Sequence, residues 1–219
     1  MLIERPFQPA DIEHLIIAGW TGRDQKAVEH HIKELEALGV KRPRTTPIFY
    51  RAAASLLTTA ETIEVLGGAS SGEIEPVVVA LGGELWVGVG SDHTDREAEA
   101  VGVSLSKQMC AKPVSATLWR FADVADHWDD LILRSHAVIG SERRLYQEGT
   151  ARAMRPVAEL IKLYNGGSTL PDGTAMFCGT FAAIGGVAPA DRFEMELHDP
   201  HSGRSITAAY SIRSLPIEG

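Results

Sequence analysis

The sequence predicts an α+β fold that is mainly β, and three observations support this prediction. Two runs of alternating apolar residues near the C-terminus, 193–197 and 206–212, are typical of half-buried strands. Two earlier strand-like runs, 73–81 and 84–90, are joined by Gly82-Gly83, which can adopt the positive φ angles of a two-residue hairpin turn. Helical periodicity is confined to a few segments, so we expect sheets to carry the fold.

The N-terminal part of the chain is predicted to form an amphipathic helix followed by short strands. Between residues 23 and 38, Val28, Ile32 and Leu35 recur at helical spacing. The stretch 47–66 then alternates apolar pairs with small residues, which indicates short strands.

Beyond the Gly-Gly hairpin, the pattern returns to helical spacing and then to strand character. Residues 98–109 predict a helix with Val101 and Leu105 on its buried side, and residues 114–121 predict a strand. A further helix is predicted at 151–162.

Composition and charge favour one cytosolic globular domain. The 219 residues are 44% apolar and 23% charged, with a formal net charge of -8, which argues against a protein that tracks nucleic-acid phosphates. No apolar run reaches the roughly 18 residues of a membrane span, and the N-terminus lacks a secretory pattern. Cys110 and Cys178 lack ligand spacing, so we expect buried free thiols rather than a zinc site.

Three acidic residues are predicted to share one face of the hairpin. Glu73 and Glu75 are two residues apart in a strand, so their side chains point to the same face. With Gly82-Gly83 as the turn, the antiparallel register places Glu75 opposite Gly90 and Glu73 opposite Asp92.

The predicted crowding of carboxylates needs compensation. Opposed residues have Cβ atoms about 4.5 to 5.5 Å apart, and like charges at that distance destabilise a sheet. A divalent cation with hard oxygen ligands relieves this repulsion, and Gly90 leaves room for the ion. The alternative is that Glu73 and Glu75 are ordinary surface residues and that Ser91 or Asp92 caps a following helix.

An ordered series of motifs resembles the fumarylacetoacetate hydrolase superfamily. The series is SGEIEPVVV, GSDHTDRE, LSKQMCAKPVS, LPDGTAMFCGT and ADRFEMEL. The resemblance implies a β-roll with a few peripheral helices and a homodimer. It covers residues 47–219 as the β-roll core and leaves residues 1–46 as an N-terminal helical or lid segment of the same single domain.

The resemblance also implies roles for particular side chains. They are Glu73, Glu75 and Asp92 as ligands of Mg²⁺, Mn²⁺ or Ca²⁺, Arg96 and Lys107 as catalytic residues, and Gln147 and Thr180 as substrate-binding residues. Lys112 is an alternative candidate for the active-site lysine. The other interpretation of Lys107 is a positive charge that complements the dipole at a helix C-terminus.

The sequence departs from the superfamily pattern in several places. The expected PGD and GTP elements are PDG and GTF here, and Ser91 replaces an asparagine. His31 and Glu34 have the spacing of the superfamily's His-x-x-Glu dyad but lie six residues late, and Gln25 stands where the histidine belongs.

The predicted function is that of a metal-dependent enzyme acting on a small 2-oxo or 1,3-dioxo acid through a metal-stabilised enolate. Hydrolysis of a C-C bond is favoured slightly over decarboxylation or isomerisation. The alternative is a non-catalytic domain that binds a metal or a small acid and has lost the catalytic dyad.

Overall fold

A computed structural model describes residues 2–37 and 42–218 of the chain. Sixteen strands are formed by these described residues. They are β1 (Glu4–Pro6), β2 (His14–Gly19), β3 (Ile48–Ala52), β4 (Leu57–Thr58), β5 (Thr62–Leu66), β6 (Ser70–Ser71), β7 (Ile74–Leu81), β8 (Glu84–Ser91), β9 (Thr94–Asp95), β10 (Lys112–Pro113), β11 (Thr117–Arg120), β12 (Ile132–Ile139), β13 (Glu142–Thr150), β14 (Thr174–Phe177), β15 (Arg192–Asp199) and β16 (Arg204–Leu215).

Four α-helices lie within the same described ranges. They are α1 (Gln25–Ala37), α2 (Arg96–Val101), α3 (Val103–Met109) and α4 (Val157–Asn165). None of them is long and apolar enough to cross a membrane. The prediction of a mainly β fold with few helices is therefore confirmed.

Two large sheets pack face to face. A seven-stranded sheet has the order β1-β11-β8-β7-β14-β2-β3, and a five-stranded sheet has the order β13-β12-β15-β16-β5. Apolar side chains from both sheets, such as Val78, Val87, Leu133 and Leu197, form one core between them. A second core, which includes Leu15, covers the other face of the larger sheet.

The hairpin β7–β8 lies near the middle of the larger sheet and is buried on both faces. Val77 and Val79 belong to the outer core, whereas Val78 and Ala80 belong to the core between the sheets. Because both faces are covered, residues 76–81 of β7 form a continuous apolar run rather than an alternating one. Charged residues at its end therefore enter a region with little solvent.

The predicted register of the hairpin is confirmed. Leu81 pairs with Glu84 and Glu75 pairs with Gly90. Gly82 and Gly83 have φ angles of 66° and 78°, and such positive values at both positions are typical of two-residue hairpin turns.

The expectation that Gly90 leaves space for an ion is wrong. A Cβ atom built on Gly90 would lie 2.8 Å from side-chain atoms of Phe177 and Val77, and 2.9 Å from the carbonyl oxygen of Pro113. The glycine is required because neighbouring chains already fill the space beside it. Any ion must therefore lie beyond the ends of the acidic side chains.

Other boundaries differ from the sequence-based expectations. Residues 1–46 are not only a helical or lid segment, because β1 and β2 lie within them and pair into the larger sheet. The helix predicted at 98–109 is divided into α2 and α3 around Gly102, and Val101 is 81% exposed. Cys110 and Cys178 are buried free thiols, as predicted.

The buried side of α3 is polar rather than apolar. Leu105 is 49% exposed, whereas Ser106 and Lys107 are buried. Lys107 of α3 therefore points toward the hairpin end, whereas Leu105 and Met109 are exposed.

The substitution Gly90→Ala is predicted to destabilise the protein by about 1 to 3 kcal/mol, because the added methyl group overpacks a filled space. Denaturant unfolding of the metal-free protein measures the change. Gly102→Ala is the matched control, since Gly102 has an extended backbone and no atom within 4 Å of an added Cβ. Equal unfolding midpoints for the two variants would contradict this packing argument.

Candidate metal centre

Three carboxylates meet where β7 begins and β8 ends. Each of Glu73, Glu75 and Asp92 offers an oxygen, and these oxygens all lie within 4.8 Å of one another. Glu75 and Asp92 are buried, with 2% and 0% exposure, while Glu73 is partly exposed. The backbone N–H of Asp92 donates to the carbonyl oxygen of Glu73 at 2.9 Å, so the backbone pairing of the hairpin continues to Glu73 and Asp92.

Asp92 does not cap a helix. The helix that follows is α2, and its cap is Asp95, whose Oδ1 accepts from the backbone N–H of Ala98 at 2.8 Å. The interpretation of Glu73, Glu75 and Asp92 as unrelated surface and capping residues is therefore wrong.

Two lysines compensate the charge of Asp92. Lys107 donates a short hydrogen bond from Nζ to Oδ2 of Asp92, and its Nζ lies 4.0 Å from Oε2 of Glu73. Nζ of Lys112 lies 3.4 Å from Oδ1 of Asp92. A third cation, Arg96, forms an ion pair with Glu73 at 3.1 Å.

The two lysines differ in their surroundings. Lys112 is completely buried and donates to the carbonyl oxygens of His93 and Cys110 at 2.7 and 3.0 Å. Lys107 keeps 7% exposure, and its Nζ lies 5.8 Å from the centre of the Tyr50 ring. Lys112 is therefore anchored behind Asp92, whereas Lys107 is the less completely buried lysine and lies beside Glu73.

Glu75 forms no ion pair with a cation among the described residues. Its Oε2 accepts from the backbone N–H of Gly179 at 2.6 Å. Burial, and then repulsion by Asp92 and Glu73, raise the pKa of Glu75 well above its ordinary value, despite the attraction of Lys107.

Asp92 behaves in the opposite way. Burial by itself raises the pKa of Asp92, but Lys107 and Lys112 outweigh burial and lower the pKa below its ordinary value. Burial likewise disfavours charged Lys107, but Asp92 and Glu73 raise its pKa overall. Asp92 and Lys107 are thus held as a buried ion pair, and the raised pKa makes Glu75 the acid of the cluster that most readily retains a proton.

The three acids fit a divalent cation. All three offer hard oxygen donors, the kind that Mg²⁺ and Ca²⁺ prefer. Oδ1 of Asp92 is buried and makes no hydrogen bond within the described residues. Nζ of Lys112 lies 3.4 Å from this oxygen and Lys107 contacts the other one, so an ion at the cluster would share Asp92 with both lysines.

Gln147 and Thr180 lie next to the acidic cluster and hold its backbone. Thr180 donates from Oγ1 to the carbonyl of Ile74 at 2.6 Å, and Oε1 of Gln147 accepts from the N–H of Ile74 at 2.9 Å. The amide nitrogen of Gln147 donates to Oγ1 of Thr180 at 2.9 Å. These bonds fix the strand between Glu73 and Glu75, and the substrate-binding roles of both residues stay predictions.

The predicted dyad cannot be placed in the same way. His31 and Glu34 belong to α1, but their side chains lie outside the described part of the structure. Their role as a general base stays a prediction.

Several residues around the acids have no signal in the sequence. The ring of Tyr50, in β3, lies near Nζ of Lys107. The hydroxyl of Tyr210, in β16, donates to Ser91, the residue before Asp92. Both are strand residues far from the acids along the chain. Only the pairing and packing of the sheets brings them to this place.

Comparison with known families identifies the chain. Residues 18–210 match the family described as "Protein of unknown function (DUF2848)". This chain belongs to the DUF2848 family. A search of curated proteins finds no match.

Solved structures similar to this DUF2848 protein share its fold. The crystal structure of Cg1458 has a TM-score of 0.69 at 15% identity, covering 94% of this chain and 77% of that one. A 2-keto-3-deoxy-D-arabinonate dehydratase complexed with magnesium and 2,5-dioxopentanoate has a TM-score of 0.68 at 16% identity, covering 98% and 76%.

A third similar structure covers both chains almost completely. It is yeast ynq8, a fumarylacetoacetate hydrolase family protein, with a TM-score of 0.64 at 18% identity and 96% of each chain covered. The predicted resemblance to the fumarylacetoacetate hydrolase superfamily is therefore confirmed for the fold of this DUF2848 protein.

The substitution Glu75→Gln is predicted to change the pH dependence of stability in the metal-free protein. Because the pKa of Glu75 is raised on folding, its contribution to stability is full below its unfolded pKa and is lost as pH rises through the folded pKa. From about pH 4.5 upward, the wild type should therefore lose stability relative to the glutamine variant.

Denaturant unfolding at several pH values, with a chelator present, measures this difference. Glu84→Gln, at the exposed turn end of the same hairpin, is the control. If the curves of wild type and Glu75→Gln stay parallel from pH 4.5 to 9, Glu75 does not carry the retained proton.

Proposed function

We propose that this DUF2848 protein is a metal-dependent enzyme that acts on a small 2-oxo or 1,3-dioxo acid. The observation that carries the proposal is the meeting of Glu73, Glu75 and Asp92 within 4.8 Å, next to the buried cation Lys107. Such a site offers oxygen ligands for an ion and a fixed positive charge beside it. The dehydratase of similar fold, bound to magnesium and 2,5-dioxopentanoate, supports this class of ligand.

Mg²⁺ is the proposed cofactor, with Mn²⁺ or Ca²⁺ as alternatives. Glu73, Glu75 and Asp92 would hold the ion, which would supply Lewis acidity to a keto group of the substrate. The raised pKa of Glu75 implies that binding an ion displaces a proton from this carboxyl.

In this proposal, Lys107 and Arg96 also take part in binding and orienting groups at the site. Lys107 stays charged because its pKa is raised, and its Nζ lies close to both Asp92 and the partly exposed Glu73. Its ammonium can therefore bind and orient the acid group of the substrate and stabilise negative charge that develops during the reaction. Arg96, paired with Glu73 and Glu99, keeps Glu73 in position and adds positive potential.

Three reaction types are compatible with an enolate. Hydrolysis of a C-C bond, decarboxylation and isomerisation all pass through this species, and we favour C-C hydrolysis. His31 and Glu34 remain the proposed general base, and Gln147 and Thr180 the proposed substrate contacts. A cytosolic location is also part of the proposal.

A second candidate is a domain that binds a metal or a small acid without turnover. It is favoured by the position of His93, the histidine closest in sequence to Asp92. Its ring bonds to Ser70 and Tyr210 rather than to the acids, so it is not available as a base there.

We also propose a homodimer, as the resemblance to the superfamily implies. Apolar side chains of the two short helices are exposed, among them Val101 at 81% and Leu105 at 49%. Burial of such side chains against a second copy would stabilise the pair.

Turnover of a panel of 2-oxo and 1,3-dioxo acids, with and without Mg²⁺, tests the proposed function. We predict turnover that a chelator abolishes, and a loss in kcat of about 100- to 1000-fold for Lys107→Met, because its charge stabilises the developing anion. Lys162→Met, an exposed position on α4, is the control and should keep full activity. A metal-loaded protein that binds these acids but converts none of them favours the second candidate.

A further inference from the structure

We propose that a buried hydrogen-bond network centred on His93 and Tyr210 positions the acidic cluster and thereby sets its affinity for a divalent cation. His93 and Tyr210 are positioning residues in this view, since they do not touch the ion or the substrate. The inference rests on the proposed function and goes beyond it by assigning a role to a residue of the second sheet.

The network is a chain of four side chains that ends on the backbone of an acidic ligand. Oγ of Ser70 lies 2.9 Å from Nε2 of His93, and Nδ1 of His93 lies 3.0 Å from the hydroxyl of Tyr210. The Tyr210 hydroxyl donates to Oγ of Ser91 at 2.8 Å. The same Ser91 oxygen accepts from the backbone N–H of Glu73 at 3.1 Å.

The direction of the hydrogen bonds at Tyr210 follows from its partners. Because the Tyr210 hydroxyl donates to Ser91, its oxygen accepts from Nδ1 of the His93 ring. His93 is fully buried, so its ring is held by Ser70 and Tyr210 away from solvent.

The network holds the backbone on both sides of Asp92. Ser91 is bonded to Tyr210 on one side, and the carbonyl of His93 accepts from Nζ of Lys112 at 2.7 Å on the other. Mutually repelling carboxylates tend to move apart unless their backbones are fixed. Anchoring the residues before and after Asp92 opposes that movement.

Close packing connects the other acidic strand to the same tyrosine. A Cβ atom on Gly72, the residue before Glu73, would lie 2.8 Å from the Tyr210 hydroxyl and 3.1 Å from the Phe193 ring. The chain leading to Glu73 therefore lies directly against the five-stranded sheet. Tyr210 thus supports Glu73 and Asp92 at once, from a sheet that supplies none of the three acids.

Titration of metal-free protein with Mn²⁺ tests the inference. Tyr210→Phe removes the hydroxyl that joins Ser91 to Nδ1 of His93, so we expect a Kd about 10 to 100 times larger, as for other supporting groups of metal ligands. Tyr146→Phe is the matched control, because Tyr146 is equally buried and its hydroxyl bonds to the N–H of Ala188 instead. The control should change the Kd less than about twofold.

The outcomes separate this inference from the proposed function. If the wild type binds Mn²⁺ and Tyr210→Phe binds it equally tightly, the positioning role is overturned while the proposed function stands. If the wild type binds no Mn²⁺, the proposed function itself fails. Should Tyr210→Phe not fold, Ser70→Ala at the far end of the network carries the test. A weaker Mn²⁺ affinity in that variant supports the inference, and an unchanged affinity overturns it.

Discussion

Repulsion among three carboxylates at the end of a doubly buried hairpin is the constraint on which the rest of this structure depends. Glu75 and Asp92 are almost completely removed from water, where a bare charge costs several kcal/mol. The surrounding chain responds unequally, because Asp92 is paired with two lysines and Glu73 with an arginine, while Glu75 accepts from the backbone N–H of Gly179. Glu75 is therefore the acid that most favours its protonated form, and a bound cation would displace that proton.

The fold supplies the rigidity that such a cluster needs. The seven-stranded sheet presents the acids at adjacent strand ends, α3 brings Lys107, and the five-stranded sheet reaches the same corner through Tyr210. Backbone and side-chain hydrogen bonds thus come from elements on several sides. This arrangement suits a preorganised ion site, because the ligands need not be gathered when an ion arrives.

The sequence predicted the hairpin and its acids well, because a Gly-Gly turn sets the register and the period of two then places every side chain. It failed where packing decides the outcome. Gly90 looked like free space but is enclosed by Phe177 and Val77. Leu105 looked buried but is exposed because α3 turns Lys107 inward, and Val101, at the end of α2, is exposed as well. The strand β12 and the contacts of Tyr50 and Tyr210 depend on pairing across distant segments, which a local pattern does not contain.

The central claim is that Glu73, Glu75 and Asp92 share one divalent cation. The most direct measurement is the anomalous scattering of a crystal grown with Mn²⁺. The account predicts a single strong peak about 2.0 to 2.4 Å from an oxygen of each of the three carboxylates. A crystal with no peak at the cluster, and Lys107 alone bridging the acids, would contradict it.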